Sequence, residues 1–330
     1  MNQGWLTLGL VSLSVLLTSC KESSTFYTNS LMVESFIQPK AESSYDFLWV
    51  LDNSGSMKPR RDYLNNNLDV FLDILNSRKA INYQMAVVTT DAFRDNGALV
   101  KAVSGIEVVK TEASSNPSSD FKELVNSITD SSTSFWEQGL ENSYQAILKN
   151  GTKFSRTGVP LVVVYLTDEE DYSCESSCWG SEPENNTTWK EFDIARYLDF
   201  FKTYKKSESS EVVMFPIVGI SQDKCTVPSL GNRYITVTES LEAFGKAGSI
   251  CDSDLAESYN NIARIIADRG NVFRLSSPAI PQTVNVYVDK IFQDPEVAQY
   301  SFDSVQNAVV FNGKLPSAGS KIDIVYQEIK

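Results

Sequence analysis

Hydrophobic and polar positions alternate along the chain in blocks. A nearly unbroken apolar run over residues 45–52 ends in a polar turn, as a strand buried on both faces does. The stretch after it places Leu64, Leu68, Phe71, Leu72 and Leu75 on one helical face. The alternation repeats. Residues 83–91 read as a strand, and 137–149 as a helix burying Leu140, Tyr144, Ile147 and Leu148. Residues 160–167 are so rich in β-branched side chains that they predict a central strand. A helix over 189–205, a strand over 212–218, a helix over 254–268 and a strand at 273–275 complete the series, while 101–110 adds a hairpin or edge strand.

Strands alternating with helices predict an α/β fold, a doubly wound and mainly parallel sheet covered on both faces. After Ser276 the texture changes to short β-like runs at 283–288, 298–302, 308–311 and 322–326, broken by Pro, Gly, Asn and Asp. A helical spacing survives there only over 288–292, so 277–330 is expected to be a small C-terminal β module on a main domain of residues 43–276.

The first twenty residues change the picture of where the protein works. Residues 2–19 carry no charge, and their apolar stretch is too short for a typical membrane-spanning helix. They read as an export signal over 1–19. The sequence Leu17-Thr18-Ser19-Cys20 resembles the lipobox of bacterial lipoproteins, although no Lys or Arg precedes it. The resemblance implies lipidation at Cys20, a tether over 20–42, and a membrane contact made through the anchor alone. Lys21 gives no Asp-type inner-membrane retention signal, which points to the outer membrane.

Four cysteines remain, and an even count in an exported chain favours two disulfides. Of three possible pairings, Cys174 with Cys178 and Cys225 with Cys251 is favoured because each pair lies within one loop-rich region. A zinc site of four thiolates is the rival. The net charge of −13 argues against a nucleic-acid partner and suits hard cations or a basic surface. The chain has no histidine, which excludes His-based triads and His-ligated zinc.

Candidate chemistry falls at the predicted strand ends, where open parallel sheets bind ligands. Asp52, Ser54 and Ser56 alternate in one tight turn and can converge on a small oxygen-seeking cation. The competing reading is an Asx or Ser capping turn that opens the helix at about residue 58. Asp168 follows the central strand, and the Glu169-Glu170-Asp171 run after it reads by itself as a solvated loop. Thr133 and Ser134 precede the helix that opens at Glu137.

In this order, the three loops resemble the von Willebrand factor A domain and its metal-ion-dependent adhesion site. The resemblance covers about residues 43–276 and implies a Rossmann-like fold with Asp52, Ser54, Ser56, Thr133 and Asp168 as ligands, Ser134 being the alternative to Thr133. The segments around Cys251, Phe273 and Tyr326 are similar to bacterial exported members that carry a β-rich tail. The ion implied is Mg2+ or Mn2+, with Ca2+ possible, and the partner is a protein that offers it an acidic residue. Asp91, Phe93, Glu169 and Trp179 are expected to form the rim.

The function expected is metal-dependent protein binding or adhesion, without catalysis. One alternative is a structural envelope component whose metal only stabilises loops. Another is a Mg2+-dependent phosphohydrolase, because Asp52 after a first strand resembles haloacid-dehalogenase-like enzymes. There Ser54 stands where those enzymes place a second acid.

Overall fold

A computed structural model describes residues 30–39, 44–77, 80–130, 136–175, 190–206, 210–221, 227–241, 245–252, 255–313 and 315–329. In chain order come β1 (Leu31–Ile37), β2 (Ser44–Leu51), α1 (Lys58–Leu75), β3 (Asn82–Thr89), the short α2 (Ala92–Asp95) and β4 (Val108–Lys110). Next are α3 (Pro117–Asn126), α4 (Gly139–Phe154), β5 (Leu161–Leu166), α5 (Ile194–Tyr204), β6 (Val212–Val218) and α6 (Asn232–Ser240). Then follow β7 (Gly248–Ser249), α7 (Leu255–Asp268), β8 (Val272–Arg274), β9 (Asn285–Val288) and β10 (Ile291–Gln293). The short α8 (Pro295–Ala298), β11 (Tyr300–Asp303), β12 (Ala308–Phe311) and β13 (Lys321–Gln327) end the series.

The central sheet has the order β4-β3-β2-β5-β6-β7. Its strands run parallel except β4, which pairs antiparallel with β3. Alternate residues of β2 serve opposite faces. Phe47, Trp49 and Leu51 join the core under α1, α3 and α7. Leu48 and Val50 join the core under α4, α5 and α6. A strand sandwiched in this way is largely apolar, which is why β2 and β5 read as nearly continuous runs; the exception, buried Asp46 of β2, is paired with Arg156 at 2.6 Å. Trp49 fixes one layer, with its ring 5.6 Å from Phe71 and 5.4 Å from Phe121.

From β2 the chain crosses to β3 on one side, and from β5 it crosses to β6 on the other. The winding therefore reverses between the carboxyl ends of β2 and β5, the place where a doubly wound sheet opens a ligand crevice.

Two smaller antiparallel sheets, β1-β13-β9-β10 and β11-β12-β8, lie outside the central one. They share a core of Phe273, Val286, Val309, Phe311, Ile322, Ile324 and Tyr326, with Met32 and Phe36 packed against it.

This corrects several expectations. Residues 31–37, placed in the tether, form a strand paired with β13 from Leu31↔Gln327 to Ile37↔Lys321. Its partner lies nearly the whole chain away, so no local pattern announces it. The strand at 273–275, expected to close the main sheet, pairs instead with β12. The main domain is thus inserted into the β module between β1 and β8. The helical spacing at 288–292 is a hairpin, β9–β10, turned by Asp289 and Lys290 at φ 48° and 70°. The pattern also missed α3 and α6. Helix α3 begins at a Pro whose predecessor, Asn116, accepts from Ser119 N at 3.1 Å.

Candidate metal site

The site grows from the end of β2. Asp52 is fully buried, its backbone N bonded to Leu166 O of β5 at 3.0 Å. One carboxylate oxygen, Oδ1, accepts from Ser54 N at 2.7 Å, and Oδ2 accepts from Thr167 Oγ1 at 2.7 Å. The first bond closes the turn; the second ties it to the end of β5. The Ser54 and Ser56 hydroxyls are 3.0 Å apart at the loop surface.

Beneath the loop, buried Arg61 donates to Asp52 O, to Ser54 O at 3.2 Å and to Asp130 Oδ1. Buried Met57 pins the loop from the core side. The Asp52–Ser56 turn is therefore held from both sides, and neither hydroxyl caps α1. Of the competing local reading, the Asx turn is present, as the Asp52 Oδ1 bond to Ser54 N, and the serine cap is not.

Carboxylates crowd this point. Burial raises the Asp52 carboxyl pKa above its ordinary value, against the bonds from Thr167 and Ser54 and the charge of Arg61. The Asp168 carboxyl is raised by burial and then by Asp52. Glu169 is pushed up to about 7 by burial and by the charges of Asp52 and Asp168. Glu137, buried at the threshold of α4, accepts from Thr90 Oγ1 and is raised well above the ordinary range by burial, then by Asp52. Such a cluster holds protons or a cation.

Asp168 carries the fit to a cation: its Oδ1 is buried and has no hydrogen-bond partner. Among the described residues no three carboxylates or thiols are close enough to cage a metal by themselves. A cation here would depend on the hydroxyls of Ser54 and Ser56 beside the carboxylates, and hydroxyl and carboxylate oxygens suit a hard divalent ion.

The remaining predicted residues separate. Thr133 and Ser134 lie outside the described residues, as do Cys20, Cys178, Cys225 and Trp179. The chain on either side of 131–135 stands beside the site, since Asn53 Nδ2 reaches Thr129 O at 3.3 Å and Glu137 meets Thr90. Asp91, expected on the rim, is fully buried and accepts from Arg94 N at 3.0 Å to cap α2, whereas Phe93 beside it is half exposed. Cys174 is buried, and Gln138 Nε2 approaches its sulfur at 3.6 Å. Cys251 is half-buried against the main core.

The solvated-loop reading of Glu169-Glu170-Asp171 does not hold, since none of the three is fully exposed. Asp171 is fully buried, accepts from Leu140 N at 2.9 Å at the start of α4, and pairs with Arg233 Nε at 3.1 Å. Glu170 accepts from Asn232 N at 2.9 Å and Arg233 N at 3.0 Å, covering the start of α6. Only Glu169 turns to the cluster. Glu137 and Thr90 were missed as parts of the site: in sequence each is an ordinary polar residue at a strand or helix end.

No family model and no curated protein matches the chain. Solved structures do. A von Willebrand factor type A protein from Catenulispora acidiphila is similar at 13% identity and TM-score 0.42, over 92% of this chain and 66% of that one. The pilus adhesin SpaC from Lactobacillus rhamnosus GG, in its open conformation, is similar at 13% identity and TM-score 0.43, over 91% and 41%. Proximal thread matrix protein 1 of the mussel byssus is similar at 15% identity and TM-score 0.38, over 71% and 48%. The chain thus spans less than two thirds of each of these proteins. Its own strand order establishes the fold class, a mixed α/β architecture with a six-stranded, mostly parallel central sheet and additional antiparallel strands.

Proposed function

We propose that the protein binds a partner protein through a divalent cation held at the carboxyl ends of β2 and β5, as a lipid-anchored component of a bacterial envelope. The observation that carries this reading is the convergence of Asp52, Ser54 and Ser56 with Asp168, which meets the Ser56 hydroxyl and the charge of Asp52 and whose buried Oδ1 has no partner. Ser54 and Ser56 would contact Mg2+ or Mn2+ directly, with Thr133 or Ser134 arriving from the neighbouring loop. Asp52 and Asp168 would supply the surrounding negative charge.

The bound ion supplies a positive charge only partly neutralised by hydroxyl ligands, so that a partner's carboxylate gains a charge-assisted contact. Thr167 and Arg61 keep the loop in place, and half-exposed Phe93 offers apolar contact at the rim. We assign no catalytic role. Disulfides from Cys174 to Cys178 and from Cys225 to Cys251 would staple the flanking loops. The adhesion role of the structurally similar pilus protein accords with this reading.

Calorimetric titration with Mg2+ and Mn2+ tests it, comparing wild type with the double variant Ser54→Ala, Ser56→Ala after circular dichroism has shown both to be folded. Binding heat in the wild type and none in the variant is expected. No heat in either removes the metal-dependent reading.

A further inference from the structure

The sheet β1-β13-β9-β10 has an inner face, which carries Met32 and Phe36 into the small core, and an outer face. Outer faces of two-layer antiparallel structures ordinarily carry polar side chains. Here Leu31, Val33 and Ile37 of β1 stand out 68%, 59% and 62% exposed, and Phe292 of β10 is 50% exposed.

The register joins them into one surface. Val33 lies opposite Val325, and one cross-strand row runs from Ser35 through Asp323 and Tyr287 to Phe292. The Tyr287 and Phe292 rings touch, with centroids 5.7 Å apart. The acid in this row, Asp323, is paired with Lys321 at 2.7 Å. The face is thus amphipathic: Leu31, Val33, Ile37, Tyr287 and Phe292 surround a small polar centre in which Asp323 is neutralised by Lys321 and accepts from Ser35 Oγ, and exposed apolar side chains gathered in this way mark a contact surface.

What covers it follows from where β1 begins. Nine residues, 21–29, separate Cys20 from Ser30, the residue before β1. Ten residue steps reach at most roughly 35 Å even when fully extended. A globule of about 300 residues is roughly 50 Å across. An anchor at Cys20 therefore cannot reach the bilayer around the far side of the molecule. Ser30 is thereby held within roughly 35 Å of the bilayer, which excludes the pole of the molecule opposite β1 and leaves this sheet, opened by β1, as an exposed apolar surface within reach of the lipid.

We propose that the outer face of the β1-β13-β9-β10 sheet lies on the lipid surface in which the chain is anchored. The assignment rests on lipidation at Cys20. Aliphatic side chains enter the headgroup boundary, Tyr287 and Phe292 take the interfacial position that aromatic rings favour, and Lys290 at the turn between β9 and β10 meets anionic headgroups. The β module is then a platform that fixes the orientation of the inserted domain on the membrane.

The test uses the exported full chain in vesicles of phosphatidylethanolamine and phosphatidylglycerol, with mass measurement of the mature amino terminus reporting acylation. In acylated protein, Phe292→Trp should show at least about twofold more quenching by brominated acyl chains than wild type. Adding Val33→Glu should abolish the excess while the folded protein stays vesicle-bound. Quenching equal to wild type on bound, acylated protein overturns the proposal and leaves the anchor standing.

If no acyl group is found, the chain from Lys21, which keeps every described residue, is sedimented with the same vesicles. Binding that falls roughly fivefold in Val33→Glu, Phe292→Glu keeps the face and removes the anchor; no binding removes both. A wild-type dimer that this double variant dissociates overturns the proposal in favour of a second copy of the chain.

Discussion

Thr167 Oγ1 donates a 2.7 Å hydrogen bond to Asp52 Oδ2, joining the ends of the two strands between which the sheet reverses its winding. Both groups are fully buried, so this bond decides whether the candidate site keeps its shape. Thr167→Val preserves the side-chain volume and leaves a buried carboxylate oxygen without its donor. A loss of about 1–3 kcal/mol in urea unfolding is expected, with weaker Mg2+ binding. Wild-type stability in the variant would show that solvent supplies the bond.

When no divalent ion is present, Glu169 in the acid cluster contributes stability that falls as pH rises. Glu169 titrates at about 7 in the folded chain against an ordinary 4.5, so between these values the folded state holds a proton that the unfolded state has released. The Glu169 contribution is greatest below 4.5, declines as pH rises towards 7, and is level above. Cation affinity should run the other way and strengthen over the same interval, because the ion competes with protons. Unfolding curves in chelator at pH 5 and 8 read the first trend and calorimetry the second; Glu169→Gln should flatten both.

Gly139 opens α4 directly against Tyr234, where an added Cβ would lie 2.5 Å from the phenol oxygen. Gly139→Ala should therefore destabilise the protein by about 1–3 kcal/mol. The Tyr234 hydroxyl is buried without a hydrogen-bond partner, so Tyr234→Phe alone should cost little and should rescue part of the Gly139→Ala loss. A double-mutant cycle with no coupling would refute the clash.

Phe36 tests whether β1 belongs to the folded body. Its ring meets Phe273 edge-on at 5.4 Å. Phe36→Ala should lower stability by about 2 kcal/mol, below the range for a fully buried phenylalanine. A tether residue would show no change in the unfolding midpoint.

The central strands were readable because burial on both faces makes β5 apolar throughout and β2 apolar at all positions but Ser44 and the Arg156-paired Asp46, a condition visible without knowledge of neighbours. The loop of Asp52, Ser54 and Ser56 was readable for a related reason: its residues are close in sequence, and the turn brings them together locally. Glu137 and Thr90 had no such signal, since they meet across 47 residues. The Glu169-Glu170-Asp171 run was misleading because identical acidic chemistry serves three ends there: Glu169 faces the cluster, Glu170 covers α6 and Asp171 covers α4.

The sequence by itself determined the alternation of strands and helices, the main parallel sheet and the turn at its centre, because these follow from local periodicity and adjacent residues. Only the tertiary structure decided that β1 and β8 belong to the small sheets, that Asp171 and Glu170 are caps, and that Glu137 joins Asp52. Each depends on a partner distant in the chain, and a hydrogen-bonding edge or a buried charge carries no mark in sequence of which distant group will meet it.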